Sequence, residues 1–115
     1  MPESVTAAAL SSALDGLALR QRSIAENVAN INTPGYQAKR VQFEEALRTA
    51  IADGSGHTQP TVSRSLEPTR LNGNNVNLDT ETLSNIDTVL RYQFASQALN
   101  SNMSSVSKAI GQASA

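Results

Sequence analysis

The stretch LSSALDGLALRQRSIAENVANINTPGY, residues 10–36, decides the fold. Its large apolar side chains fall at Leu10, Leu14, Leu17, Ile24, Val28 and Ile31, in steps of four and three, with Gln21 filling the one missing step. That spacing keeps a narrow stripe facing a partner helix, as in a coiled coil. It predicts a helix from about Val5 to Ile31, roughly 40 Å long at ~1.5 Å per residue. Gln21 is either a register-setting polar residue or a tolerated defect of the seam. Gly16 costs about 1 kcal/mol relative to Ala inside a helix, which close approach of a neighbouring backbone justifies or plain tolerance allows. The helix must stop at Asn32-Thr33-Pro34-Gly35-Tyr36. Pro34 cannot continue it and pushes Thr33 out of the α region, and a Pro-Gly pair suits the centre of a type II turn. Tyr36 then packs back on the helix end. Asn27, Asn30 and Asn32 crowd the last turns, although Asn bonds nearby backbone in preference to forming helix. Fraying near the cap is one explanation, and amide bonding to an adjacent subunit is the other.

Downstream, Phe43, Leu47 and Ile51 lie at i, i+4, i+8 with Glu44 and Glu45 in the first turn and Gly54 beyond, predicting a short helix from Val41 to Ala52. Between Asp53 and Arg70 the composition shifts to Gly, Ser, Thr and Pro, a flexible or partner-ordered linker with one extended piece over Thr61 to Leu66. Leu71 to Leu78 holds an Asn-Gly turn, then Val76 and Leu78 in alternation, which predicts a short strand. Asp79 is the expected N-cap, with Glu81 in the first turn, of a long helix reaching about Gly111. Leu83, Ile86, Leu90 and Phe94 share one face of it. Tyr92, Ala95, Leu99, Met103, Val106 and Ile110 lie nearly half a turn around, at about 100° per residue. Two faces need two partners. From Tyr92 onward only Lys108 is charged, so the outer surface is Ser, Asn, Gln and Ala. Neighbouring subunits can bury such a surface without desolvating charge.

Composition narrows the function. Of 115 residues, 25 are Leu, Ile, Val or Phe, about 22% and close to the level below which chains stay disordered. The thin apolar core implies a chain that orders largely by docking. The net charge is −1, and the longest basic run is Lys39-Arg40, which reads as a solvated turn and not as a nucleic-acid footprint. No apolar run is long enough to span a bilayer. The N-terminus MPESVTAAALSSALDG lacks the basic region and solid apolar stretch of a cleaved signal. The expectation is a protein that stays inside or is exported by other means.

Catalytic chemistry has little to stand on. There is no Cys, His57 is the single imidazole, and no phosphate-cradling or nucleophile-elbow motif is present. His57 reads as a loop residue. The carboxylate pairs Glu44/Glu45 and Asp79/Glu81 are explained by first-turn and capping roles. No enzyme activity, metal or cofactor is expected.

Two blocks carry a resemblance, ALRQRSIAENVANINTPGYQAKRVQFEEAL from Ala18 to Leu47 and LNGNNVNLDTETL from Leu71 to Leu83. The pattern Ala29-Asn30 with Thr33-Pro34-Gly35-Tyr36 resembles the signature of the flagellar axial rod and hook protein family. Asn72-Gly73-Asn74-Asn75-Val76, then Leu78-Asp79 and Glu81, then Arg91-Tyr92-Gln93, is similar to the proximal-rod branch of that family and not to its neighbour FlgC. The resemblance covers both terminal regions and departs in the middle, from Asp53 to Thr69.

The fold it implies is all-α. Long N- and C-terminal helices form an antiparallel coiled-coil pair, with a short helix and a flexible or extended middle segment outside. One domain overall divides into residues 1–33 (N-terminal axial helix), 34–78 (turn, short helix and middle segment) and 79–115 (C-terminal axial helix). Leu10, Leu14, Leu17, Gln21, Ile24, Val28 and Ile31 are assigned to a seam against Leu99, Met103, Val106 and Ile110. Leu83, Ile86, Leu90 and Phe94 meet the second helix or a neighbouring subunit. The family-motif turn is Asn30 and Thr33 to Tyr36.

The role implied is a self-assembling subunit of the proximal rod, the drive shaft that transmits torque and encases the export channel. It is a substrate of the flagellar type III export apparatus, reaching the periplasmic rod without a cleavable signal. Implied partners are further copies of itself, FlgC, FlgF, FliE and, indirectly, the membrane ring protein FliF. The competing class is a secreted helical adaptor or effector that does not polymerise, which differs in being a stable helical monomer.

Overall fold

A computed structural model describes residues 4–113, with side chains through 111; residues 1–3 and 114–115, which the sequence reading placed in the two terminal segments, lie outside this range. In chain order the elements are α1 (Val5–Ala29), β1 (Lys39–Gln42), α2 (Glu44–Ala52), β2 (Thr61–Arg64) and α3 (Leu78–Ala113). The molecule is elongated, 68 × 25 × 15 Å, because two long helices set its length and α1 contacts α3 more extensively than any other pair of elements touch.

Ser4 caps α1, its Oγ accepting the Ala7 N–H at 3.0 Å, and Asn30 closes it by donating its N–H to the Glu26 and Asn27 carbonyls. The helix therefore ends two residues before Ile31. α2 also starts later than the sequence suggested, at Glu44, because Val41 and Gln42 belong to β1. The all-α expectation is corrected by this strand. β1 and β2 pair antiparallel, with Lys39 opposite Arg64 and Val41 opposite Val62. β1 has a single apolar residue in four, too little alternation to announce a strand, and its partner lies about twenty residues away. The extended piece foreseen within Thr61 to Leu66 is β2. The strand foreseen at Val76 to Leu78 is not present: Val76 is buried in a loop and Leu78 opens α3. Asn77, and not Asp79, caps α3, its Oδ1 accepting the N–H groups of Asp79 and Thr80 at 3.0 and 3.3 Å. The position just before the first helical residue, Leu78, is where an N-cap side chain reaches the second and third helical N–H groups.

The apolar core joins Leu17, Val41, Phe43 and Ala95, with Leu10, Ala13, Leu14, Leu19 and Leu47 around it. Phe43 fills the space above Gly16, where a Cβ would stand 2.5 Å from the ring carbon Cδ1. A ring, not a backbone, thus justifies this glycine. Gly16→Ala gains about 1 kcal/mol in helix propensity, but overpacking a tight site costs about 1–3 kcal/mol. The variant should be destabilised, with a lower urea midpoint at unchanged slope; an increase in midpoint would show that Phe43 moves aside freely.

Candidate assembly interface

The two sequence blocks meet at one end of the helix pair. Thr33 to Tyr36 forms the expected turn: Tyr36 donates its N–H to the Thr33 carbonyl at 3.3 Å, and Gly35 has φ +76°. The second block wraps this turn with amides. Asn74 Nδ2 donates to the carbonyls of Asn30 (2.9 Å) and Thr33 (2.8 Å), while its Oδ1 accepts the Val76 N–H. Asn75 Oδ1 accepts the Ala38 N–H at 2.7 Å, and its Nδ2 donates to Ser65 and Glu67 carbonyls. Gly35 donates its N–H to the Asn72 carbonyl. Arg70 donates to the Ile31 and Val76 carbonyls. Side-chain amides, the Arg70 guanidinium and a few backbone pairs thus satisfy backbone groups that the loop would otherwise leave unpaired.

Asn27 and Glu81, both with 0% exposure, lie at the centre. Asn27 makes four hydrogen bonds. Its Nδ2 donates to the Lys39 carbonyl (3.0 Å) and Glu81 Oε2 (3.1 Å), and its Oδ1 accepts from the Lys39 N–H (2.8 Å) and Tyr36 Oη (3.3 Å). Arg40 Nη1 donates to Glu81 Oε1 at 2.7 Å, and its Nη2 stands 3.7 Å from Glu67 Oε2. Lys39 pairs with Glu26, whose carboxyl is held below its ordinary range by the Lys39 hydrogen bond and charge. Neither reading of the asparagine cluster survives at these positions. Asn27 and Asn30 are neither frayed nor reaching for a neighbour; they bind this chain's own backbone. Lys39-Arg40 is not a solvated turn, since both head groups close ion pairs onto the helices.

Arg20 clamps the middle segment to α1. It pairs with Glu44 (2.6 Å), donates to the Val41 carbonyl (2.7 Å) and stacks 4.9 Å from the Phe43 ring centre. Burial acts to raise the Glu44 carboxyl. The hydrogen bonds from Arg20 and from the Glu44 and Phe43 N–H groups, with the Arg20 charge, outweigh it and lower the pKa to about 2. The folded value lies below the unfolded one, so the stabilisation is present above roughly pH 4.5 and is lost as pH falls toward 2. Amide resonances in the first turn of α2 should show a titration step near pH 2 in the native chain that Glu44→Gln lacks; identical acid limbs in both would remove Glu44 from the clamp.

Along the helices, Leu17 and Ile24 of the expected seam are buried and Leu10, Leu14, Ile31 and Leu99 half-buried. Gln21, Val28, Met103, Val106 and Ile110 are exposed. α3 has 36 residues against 25 in α1, so its last turns have no helix to lie on, and the seam as drawn is corrected there. The apolar pattern passes over the small and polar residues of α1, of which only Gly16 and Asn27 stand out in the sequence. Ala8, Ser12, Gly16, Ser23 and Asn27 are all buried on one side of α1, where they receive the middle segment: Ser12 Oγ donates to the Gly56 carbonyl at 3.0 Å. Their spacing of four, four, seven and four residues is helical, but small and polar residues do not register in an apolar pattern. Leu83, Ile86, Leu90 and Phe94 are 69, 53, 61 and 74% exposed. Nothing else in the described residues covers them.

Among the described residues no cluster of His, Asp and Glu is arranged to hold a metal, and His57 sits in an exposed loop beside Ser11, Asp15 and Thr58. No described helix is long and apolar enough to cross a membrane. A family profile described as "Flagella basal body rod protein" matches residues 8–37, which is α1 from Ala8 through the Thr33–Tyr36 turn. The chain is 31% identical to the flagellar basal body rod protein FlgB of Escherichia coli (strain K12), across 76% of this chain and 80% of that protein. It is 30% identical to FlgB of Salmonella typhimurium, across 79% and 82%. FlgB of Bacillus subtilis is 28% identical, across 84% and 86%.

The chain belongs to the FlgB family of flagellar basal-body rod proteins. As a FlgB-family member it is a structural component of the basal body and not an enzyme. Nothing in these matches supports the secreted-adaptor reading. The rod-protein profile ends just past the turn, at residue 37, yet that turn is held by Asn72, Asn74 and Asn75 from outside the profile.

Proposed function

We propose that this chain polymerises as a subunit of the proximal rod, with α1 and α3 as an antiparallel pair along the rod axis and the sheet and α2 on the outside. Two observations support the antiparallel sense. Asn27, near the end of α1, bonds Glu81 at the start of α3, and Leu17, ten residues back, clusters with Ala95, fourteen residues on. In that sense the overhanging turns of α3 project beyond the start of α1.

The observation that carries the reading is the row Leu83, Ile86, Leu90 and Phe94, on the side of α3 away from the core and more than half exposed. An isolated protein rarely leaves so much contiguous apolar surface in water; subunits packed side by side cover it. Polymerised in this way, the chain stiffens the shaft that transmits torque and walls the export channel. Its partners are further copies, FlgC, FlgF and FliE, with FliF at the base. The export apparatus delivers it to the periplasm.

Deleting the gene in the source bacterium should leave cells non-swimming and without filaments, and the intact gene in trans should restore both. Normal filaments on the deleted cells would contradict the proposal.

A further inference from the structure

α3 faces the core with Glu81, Thr88 and Ala95, all buried. Leu83, Ile86, Leu90 and Phe94 fall within an arc of roughly 80° on the far side at about 100° per residue. This stripe is close to self-complementary when read backwards. Leu83 and Phe94 stand equally far from a midpoint between Thr88 and Val89, and Ile86 and Leu90 flank the same point. One flank carries Asp87 and Arg91, paired at 2.9 Å with both side chains more than half exposed. Over the span of the stripe the other flank carries Thr82, Gln93 and Gln97, without charge, and Asp79 lies one turn before it.

We infer that the free chain caps this stripe with a second copy of itself, α3 against α3, antiparallel about a two-fold axis near Thr88. In that arrangement each flank meets the same flank of the second copy. Asp87 then lies beside Arg91 of the second copy, twice over, while Leu83 covers Phe94. A parallel pair brings the charged flank against the amide flank and gains no such pairing. Charge placement therefore selects the antiparallel partner. The surface is smaller than a standard stable interface, so the pair is weak and depends on concentration. It is also closed. An isologous contact uses up the surface on both copies, whereas a filament needs a head-to-tail contact that leaves one free. The pair shields the stripe before assembly and must come apart for incorporation.

The chain has no cysteine, so single thiols report the geometry directly. Purified full-length Leu83→Cys and Phe94→Cys, mixed under mild oxidation, should give at least tenfold more disulfide-linked dimer than either alone, because residues 83 and 94 of one chain are about 16 Å apart along the helix. Asp87→Arg or Arg91→Asp should each weaken dimerisation about fivefold in sedimentation equilibrium, on the scale of exposed ion pairs acting twice. The double reversal should restore it. Disulfides formed by Leu83→Cys alone, which report a parallel pair, or a monomer at all concentrations would overturn the inference.

Discussion

Asn27→Ala should cost the free chain about 3–5 kcal/mol, a large share of what holds a domain of this size together. The side chain is small and polar, and its removal leaves little apolar area unburied. The loss comes from the groups left behind. The Lys39 N–H and carbonyl, the Tyr36 hydroxyl and the Glu81 carboxylate all lose a partner. A buried group so stranded costs about 1–3 kcal/mol, more when charged. Glu81 is the charged one, with no exposure and Arg40 as its remaining donor, so uncoupling it from Asn27 weakens the tie between the end of α1 and the start of α3. Urea unfolding followed by far-ultraviolet circular dichroism should show the midpoint collapse. A shift below about 1 kcal/mol would mean that water replaces the amide in place, and that the junction is wet.

Phe94→Asp should have the opposite profile, leaving the monomer as stable as the parent while abolishing swimming. Phe94 is 74% exposed, and surface substitutions away from special features usually change stability by no more than about 0.5 kcal/mol. In a packed array the same carboxylate must be desolvated without a partner, which costs several kcal/mol per subunit contact. Leu17→Asp cannot make this separation, because Leu17 is 3% exposed and the substitution unfolds the monomer as well. Swimming radius in soft agar and the unfolding midpoint, read together, check the prediction. Normal swimming would remove this face from the assembly.

What the sequence made legible follows from how each element is encoded. α1 and its stop are written in local terms, a three-four apolar spacing and a Pro-Gly pair, and both are present with a helix end shifted by two residues. α3 is long enough that its amphipathic pattern survives any local ambiguity. The junction is different in kind. Asn27, Asn74, Asn75 and Glu81 are buried polar residues, and their burial is understandable only once the backbone groups they satisfy are known. Apart from the Val76 N–H beside Asn74, those groups lie between 8 and 44 residues away along the chain, and the side chains that Glu81 bonds lie 54 and 41 residues away. Glu81 reads locally as a first-turn carboxylate favoured by the helix dipole, and in the fold it is the buried counter-charge of Arg40. β1 was hidden for the same reason, since Lys39 and Arg40 look solvated until the two helices supply Glu26 and Glu81. The count of large apolar residues accordingly understated the core: amide networks and small-residue contacts hold the junction end where apolar area is scarce.

The central claim is that the side of α3 turned away from the core is covered in the rod and open in the dilute monomer. A single thiol at Leu90→Cys, introduced into the cysteine-free chain, tests it most directly by comparing the rate of maleimide labelling in dilute purified protein and in isolated basal bodies. The account predicts rapid reaction in the dilute protein and at least a hundredfold slower reaction in basal bodies. Equal rates in the two samples would contradict it.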